Sequence, residues 1–193
     1  MKLSRVAFLA PALPASLAAQ QPNQQGGPLT TAFRNRTITF QRNLAQAFDS
    51  IPESKFGYKP TPAQMTIGDI AQHLSSDNYF YCGNFGSMKA SVSQEEEITP
   101  DSVKAKWAKA KLVANLKASF KFCEDAFAQI DDAKLADTLT ITTGANTRQV
   151  VRVQPMLGHI VDMADHYSQI ANYMRLNNIL PPTALPRPRP ASN

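Results

Sequence analysis

The chain has 193 residues, 43% hydrophobic and 18% charged, with a formal net charge of +5. That length suits one domain with one core, and the charge excess is too small to argue for a nucleic-acid partner. No internal apolar run approaches the ~20 residues that a membrane-spanning helix needs, so no stable membrane span is expected.

Residues 1–19 have the layout of a signal peptide: Lys2 and Arg5, an apolar run from Val6, then small residues around Ser16 and Ala18 where a peptidase would cut. Pro11 and Pro14 interrupt the run, yet they would disrupt an ordinary N-terminal helix as well. The expectation is export from a bacterial cytoplasm to a periplasmic or extracellular location. Loss of residues 1–18 removes Lys2 and Arg5, leaving 18 basic against 15 acidic residues and a net charge of +3. The first cysteine is Cys82, so this segment offers no lipoprotein-type lipidation site.

Residues 20–29 are polar and turn-rich and read as a linker. The spacing of Phe33, Thr37, Phe40, Leu44, Ala47 and Phe48 predicts a first helix over residues 30–50, ending before Pro52. A second is predicted over residues 66–85, opening at Thr66 and stopping at Gly86. Thr99 followed by Pro100 is a strong start signal for a third, carried to about Ile130 by Val103, Trp107, Ala110, Val113, Phe120, Cys123 and Phe127. Its lysines, Lys104, Lys106, Lys109, Lys111, Lys117 and Lys121, read as a solvated face. Residues 137–147 alternate threonine with Leu139 and Ile141 before a glycine turn, a short strand or hairpin. A fourth helix is predicted over residues 148–178, with Pro155 imposing a kink or a late start. The proline-rich tail, residues 183–193, suits neither helix nor central strand. Four amphipathic helices with little else make an all-α four-helix bundle, spanning residues 30–182.

The chain has three histidines, and all fall on predicted helices. Asp162 and His166 are four apart, so their side chains share one face of the fourth helix and can close on one ion. His159 lies on the same stripe but about 10 Å from His166 along the axis, so it would pair with Asp162 or support it from behind. On the second helix the inward face includes Ile67, Ile70, His73, Leu74, Asp77 and Tyr81. His73, Asp162 and His166 would make two imidazoles and a carboxylate with open positions, a set suited to catalytic zinc or ferrous iron. The plainer reading is a hydrogen-bonded core histidine and an Asp–His ion pair.

Three segments carry a family resemblance: F-G-Y-K-P-T-P at residues 56–62, M-T-I-G-D-I-A-Q-H-L-S-S-D-N-Y-F-Y-C at 65–82, and H-Y-S-Q-I-A-N-Y-M-R-L-N-N-I-L-P-P at 166–182. Together they resemble the DinB-like (DinB/YfiT) superfamily. The resemblance implies an up-down-down-up bundle and, in many members, a metal held by three histidines, one on the second helix and an H-x-x-x-H pair on the fourth. His73 and His166 match two of those positions, whereas Asp162 stands where the family has histidine. Aspartate still ligates zinc, nickel, iron or manganese, with shorter reach and a preference for harder ions.

An even cysteine count in an exported chain invites a disulfide. The parallel second and third helices that the resemblance implies would bring Cys82 and Cys123 to similar heights; two buried thiols filling core space are the alternative. Tyr79, Tyr81 and Tyr173 read as pocket or core, and Arg175 favours its helix end. Ser168 lacks a hydrolase elbow, and no phosphate-cradling glycine loop occurs. The resemblance implies a divalent-metal-binding protein with hydrolase or thiol-transferase activity on a small-molecule substrate. The competing expectation is a metal-free bundle acting as a binding or stress-related module, and a homodimer through an exposed helix face is compatible with either.

Overall fold

The computed structural model describes residues 26–186. The predicted signal peptide, most of the linker and the end of the tail lie outside that range. In chain order the elements are α1 (Pro28–Ser50), α2 (Ile67–Gly86), α3 (Gln94–Ile98), α4 (Asp101–Lys104), α5 (Lys109–Ala128), β1 (Thr138–Thr143), β2 (Asn146–Val151) and α6 (Val153–Leu176). Helices α1, α2, α5 and α6 form the bundle, as the periodicity predicts, and the pair of strands is a small addition to it.

Contacts at the helix ends fix the path. The carboxylate of Asp132, just past α5, accepts hydrogen bonds from the backbone N–H groups of Leu29 (3.0 Å) and Thr30 (2.7 Å) at the start of α1. At the other end, the Lys109 ammonium that opens α5 donates to the carbonyls of Asp49 and Ile51 (2.8 and 2.7 Å). Helices α1 and α5 are therefore antiparallel. A disulfide joins Cys82 to Cys123, both near the C-terminal ends of α2 and α5, so those two run parallel. Near the end of α6 the Tyr173 hydroxyl donates to the Met65 carbonyl, just before α2 begins, at 3.2 Å. The result is up-down-down-up. Of the two readings of the cysteines, the bridge is the one found.

The same contacts cap orphan groups at the helix ends, which would otherwise lack partners. Arg34 Nη2 donates to the Phe127 carbonyl at the end of α5 (2.9 Å), and Arg152 Nη1 to the Phe85 carbonyl at the end of α2. Between the helices, Phe48, Leu74, Leu116, Ile170 and Tyr173 fill a main core cluster, while Phe85, Phe127, Met156 and the disulfide fill a second.

The third predicted helix is broken into pieces. Pro100 does start a helix, but α4 lasts one turn, and α5 begins only at Lys109. Its start is displaced because the Ala105 carbonyl packs against Gly68 so closely that a Cβ there would collide with it. The hairpin pairs Thr138↔Val151 through Thr143↔Asn146, with Gly144 in the left-handed region (φ +58) at the turn. Strand β2 takes residues 148–151 that periodicity assigns to the last helix. Helix α6 thus starts late, and Pro155 sits in its first turn where a missing N–H has no helical partner to lose. There is no kink to explain.

Because the disulfide closes a loop of 41 residues, replacing Cys82 and Cys123 together by alanine is expected to lower stability by about 4 kcal/mol. Urea unfolding of the double variant against the oxidised protein measures this, and equal midpoints would show that the bridge does not hold α2 to α5.

Candidate metal centre

Helix α2 starts where a capping box fixes it: the Asp69 N–H donates to Thr66 Oγ1 (3.0 Å) and the Thr66 N–H to Asp69 Oδ2 (2.9 Å). From that start His73, Asp77 and Tyr81 fall one turn apart on a single stripe. Helix α6 runs the other way and presents Gly158, Asp162 and His166 at the same spacing. The stripes face each other.

Asp162 Oδ1 lies between the two imidazoles, 3.3 Å from His166 Nε2 and 3.6 Å from His73 Nε2. The two rings stand edge to face, centroids 4.6 Å apart. One ligand atom from each of the three side chains lies within 4.8 Å of the others, so these residues could hold a metal ion. The site has a closed and an open side: the His166 side chain is 8% exposed and that of His73 37%. Burial pushes the Asp162 carboxyl up, but the imidazoles on either side outweigh it and take it down to about 2. The neighbouring Asp162 raises His73, against an opposing effect of burial and with help from Asp77.

Asp77 belongs to this cluster and was not singled out as a site residue. Its Oδ2 is 3.4 Å from the same His73 Nε2, and burial raises its carboxyl. The i,i+4 spacing from His73 was the available signal. Of the tyrosines, Tyr173 is core (1% exposed) and Tyr79 packs on Phe122, while Tyr81 lines a cavity next to Asp77.

His159 takes no part. It neither pairs with Asp162 nor backs it; the ring is fully buried and its Nε2 is 2.8 Å from Asn78 Oδ1. The Asn78 amide nitrogen donates to Ser119 Oγ (2.9 Å), which orients its oxygen toward the ring and makes Nε2 the protonated nitrogen. Desolvation holds His159 down to about 4. Its Nε2 also lies 3.7 and 3.6 Å from the sulfurs of Cys82 and Cys123, but bridged sulfurs carry no thiolate for a metal. The ring is structural.

Comparison with known families and structures places the chain. The family model of the DinB superfamily matches residues 37–170, more than half the sequence. The chain belongs to the DinB superfamily. Among solved structures it resembles a DinB-like protein from Bacillus cereus (14% identity, TM-score 0.60, 79% of this chain and 95% of that one). A conserved protein from Enterococcus faecalis is similar (14%, 0.59, 78% and 98%). So is the mycothiol-dependent maleylpyruvate isomerase (11%, 0.57), of which the match covers 60%, against 73% of this chain. At such identities the likeness is one of fold. Comparison with curated proteins returns no significant match.

Within this DinB-like bundle the donor set fits a cation. Charge-assisted N–H···O bonds run about 2.7–2.9 Å, shorter than either imidazole-to-Asp162 separation. Two donors bound at about 2.0–2.1 Å on a tetrahedral ion stand roughly 3.3 Å apart, close to what is seen. His166 Nδ1 is buried without a protein partner, so no competing bond turns its Nε2 away from the centre.

The buried His159 gives a pH dependence with a definite sign. Its folded pKa lies below the unfolded 6.5, so the unfolded chain binds the proton more tightly and stability falls as pH drops from about 6.5 to about 4. The expected loss is about 3 kcal/mol. His73 acts oppositely and in another window, losing its contribution as pH rises above 6.5. Urea midpoints at pH 7 and pH 4.5 should therefore diverge less in His159→Leu than in the unaltered protein.

Proposed function

We propose that this chain is an exported, divalent-metal-dependent enzyme acting on a small molecule by hydrolysis or thiol transfer, with His73, Asp162 and His166 holding the ion. The observation that carries this reading is the meeting of the three donors from two antiparallel helices, at spacings suited to one shared cation. When bound, such a cation supplies Lewis acidity, polarising an electrophile and making water or a thiol a better nucleophile at neutral pH. His166 forms the closed side of the centre and excludes water there. His73, more than a third exposed, borders the opening through which a substrate enters. Asp162 carries a full negative charge at neutral pH and offsets that of the cation.

Two observations bear on the finer reading. The fold neighbour named as a mycothiol-dependent isomerase supports thiol chemistry. The Cys82–Cys123 bridge supports an oxidising compartment, where small thiols are scarce, and with it export and hydrolysis. We favour hydrolysis, with zinc, iron, manganese or nickel as the ion. The competing reading, a metal-free binding bundle, rests on the ability of Asp162 to pair with both imidazoles unaided.

Elemental analysis of protein purified without chelator separates them. One divalent ion per chain is expected, falling by at least about tenfold in His73→Ala and in His166→Ala and retained in Asp162→His. Metal-free protein whose melting temperature does not rise on adding zinc, nickel, manganese or ferrous iron would leave the binding bundle.

A further inference from the structure

One helical turn from the His73–Asp162–His166 cluster, the hairpin closes over the groove between α2 and α6 and leaves a cavity of about 140 Å³. Tyr81 and Gly158 form its floor. The absence of a side chain at position 158 lets the Tyr81 ring lie against α6: a Cβ there would stand 2.9 Å from the ring. From the hairpin come Ile141, Arg148 and Val150. Ile141 and Arg148 are cross-strand partners, so they share a sheet face, and Ile141 is buried against the helices at 2% exposure. The register therefore puts a guanidinium on the inward face of the hairpin. Among the described residues the Arg148 guanidinium has no ion pair or hydrogen bond, and the Tyr81 hydroxyl and Gln154 amide at the same cavity are likewise unbonded. Three donors share one small space, and no carboxylate lines it.

We propose that this cavity is the subsite for the carboxylate of a small organic acid, gripped by Arg148 with Tyr81 and Gln154 as further donors. The charge layout orients the ligand. Asp77 and Asp162 lie beyond Tyr81 and repel an anion, whereas Arg148 attracts it at the hairpin end, beside the positive end of α6. The rest of the ligand is apolar and compact, since Ile141, Val150 and Pro155 supply the walls and cavities of about 150 Å³ admit a benzene ring. Resting on the reading above, the reacting bond then lies about one turn away, beside the imidazoles.

The test uses benzoate and its uncharged isostere benzamide, titrated calorimetrically into chelator-treated full-length protein, so that no metal can supply the anion site. Benzoate is expected to bind, about tenfold more weakly to Arg148→Met, and benzamide to bind poorly to both. The Arg148 side chain is exposed and makes no hydrogen bond or ion pair, so the variant should melt with the unaltered protein. Equal benzoate affinity in the two proteins, or benzamide binding as well as benzoate, would overturn the subsite even if metal binds stoichiometrically at His73 and His166. An Arg148-dependent benzoate signal in a protein that takes up no metal would keep the subsite and sink only the metal reading.

Discussion

The register between α2 and α6 is the constraint on which the rest of this molecule depends. Met65 with Tyr173, His73 with His166, Asn78 with His159, and Tyr81 with Gly158 are met in that order, forward along one helix and backward along the other. Each contact is of a different kind: a hydroxyl on a carbonyl, a pair of rings, an amide on an imidazole, an aromatic ring on a bare backbone. A slip of one turn would move them all by about 5.4 Å. The imidazoles, centroids 4.6 Å apart, could not survive it, and Tyr81 would meet a side chain instead of Gly158.

The disulfide and the Ser119–Asn78–His159 chain hold that register from the side. Cys82 and Asn78 are one turn apart on α2, and both connect to α5, one by a covalent bond and one through Ser119. His159 then ties the same level to α6. A polar chain in a dry core destabilises unless its members are paired, and here Asn78 bonds both Ser119 and His159, leaving only His159 Nδ1 of the three side chains without a partner. Two histidines one heptad apart on one helix thus have opposite duties. His159 is kept neutral by its burial and oriented by its amide partner, and His166, on the face turned to α2, keeps Nε2 beside a carboxylate.

Much of this could be read from the chain before folding. Thr66, the apolar repeats and the i,i+4 pair Asp162/His166 are local signals, and helices obey local signals when capping and periodicity agree. The bundle and its three donors follow from them. What escaped was whatever depends on residues remote in sequence. Pro100 is a sound start signal, yet the close approach of Ala105 to Gly68, 37 positions earlier, limits its helix to one turn. Spacing cannot tell a bridged Cys82 from a free one, because the partner lies on another helix. Arg148 was assigned to a helix, and only the hairpin register gives it a face. Spacing alone assigns His159 to Asp162 as partner or support, because it cannot show that a helical stripe is wide enough to serve two surroundings at once.

The aspartate in place of the family's middle histidine also has a physical logic. An imidazole at position 162 would have to be neutral to bind a cation, and it would leave three imidazoles with Asp77 as the adjoining carboxylate among the described residues. Asp162, with its carboxyl held down to about 2, is ionised at neutral pH, so no proton need leave it before a cation binds. Its shorter reach is met by the other two residues: both imidazole Nε2 atoms lie within 3.6 Å of the same oxygen, Oδ1. The substitution therefore hardens the donor set. With His166 buried, the α2 side, where His73 is partly exposed and Asp77 adjoins Tyr81, is the face through which the three residues meet their surroundings.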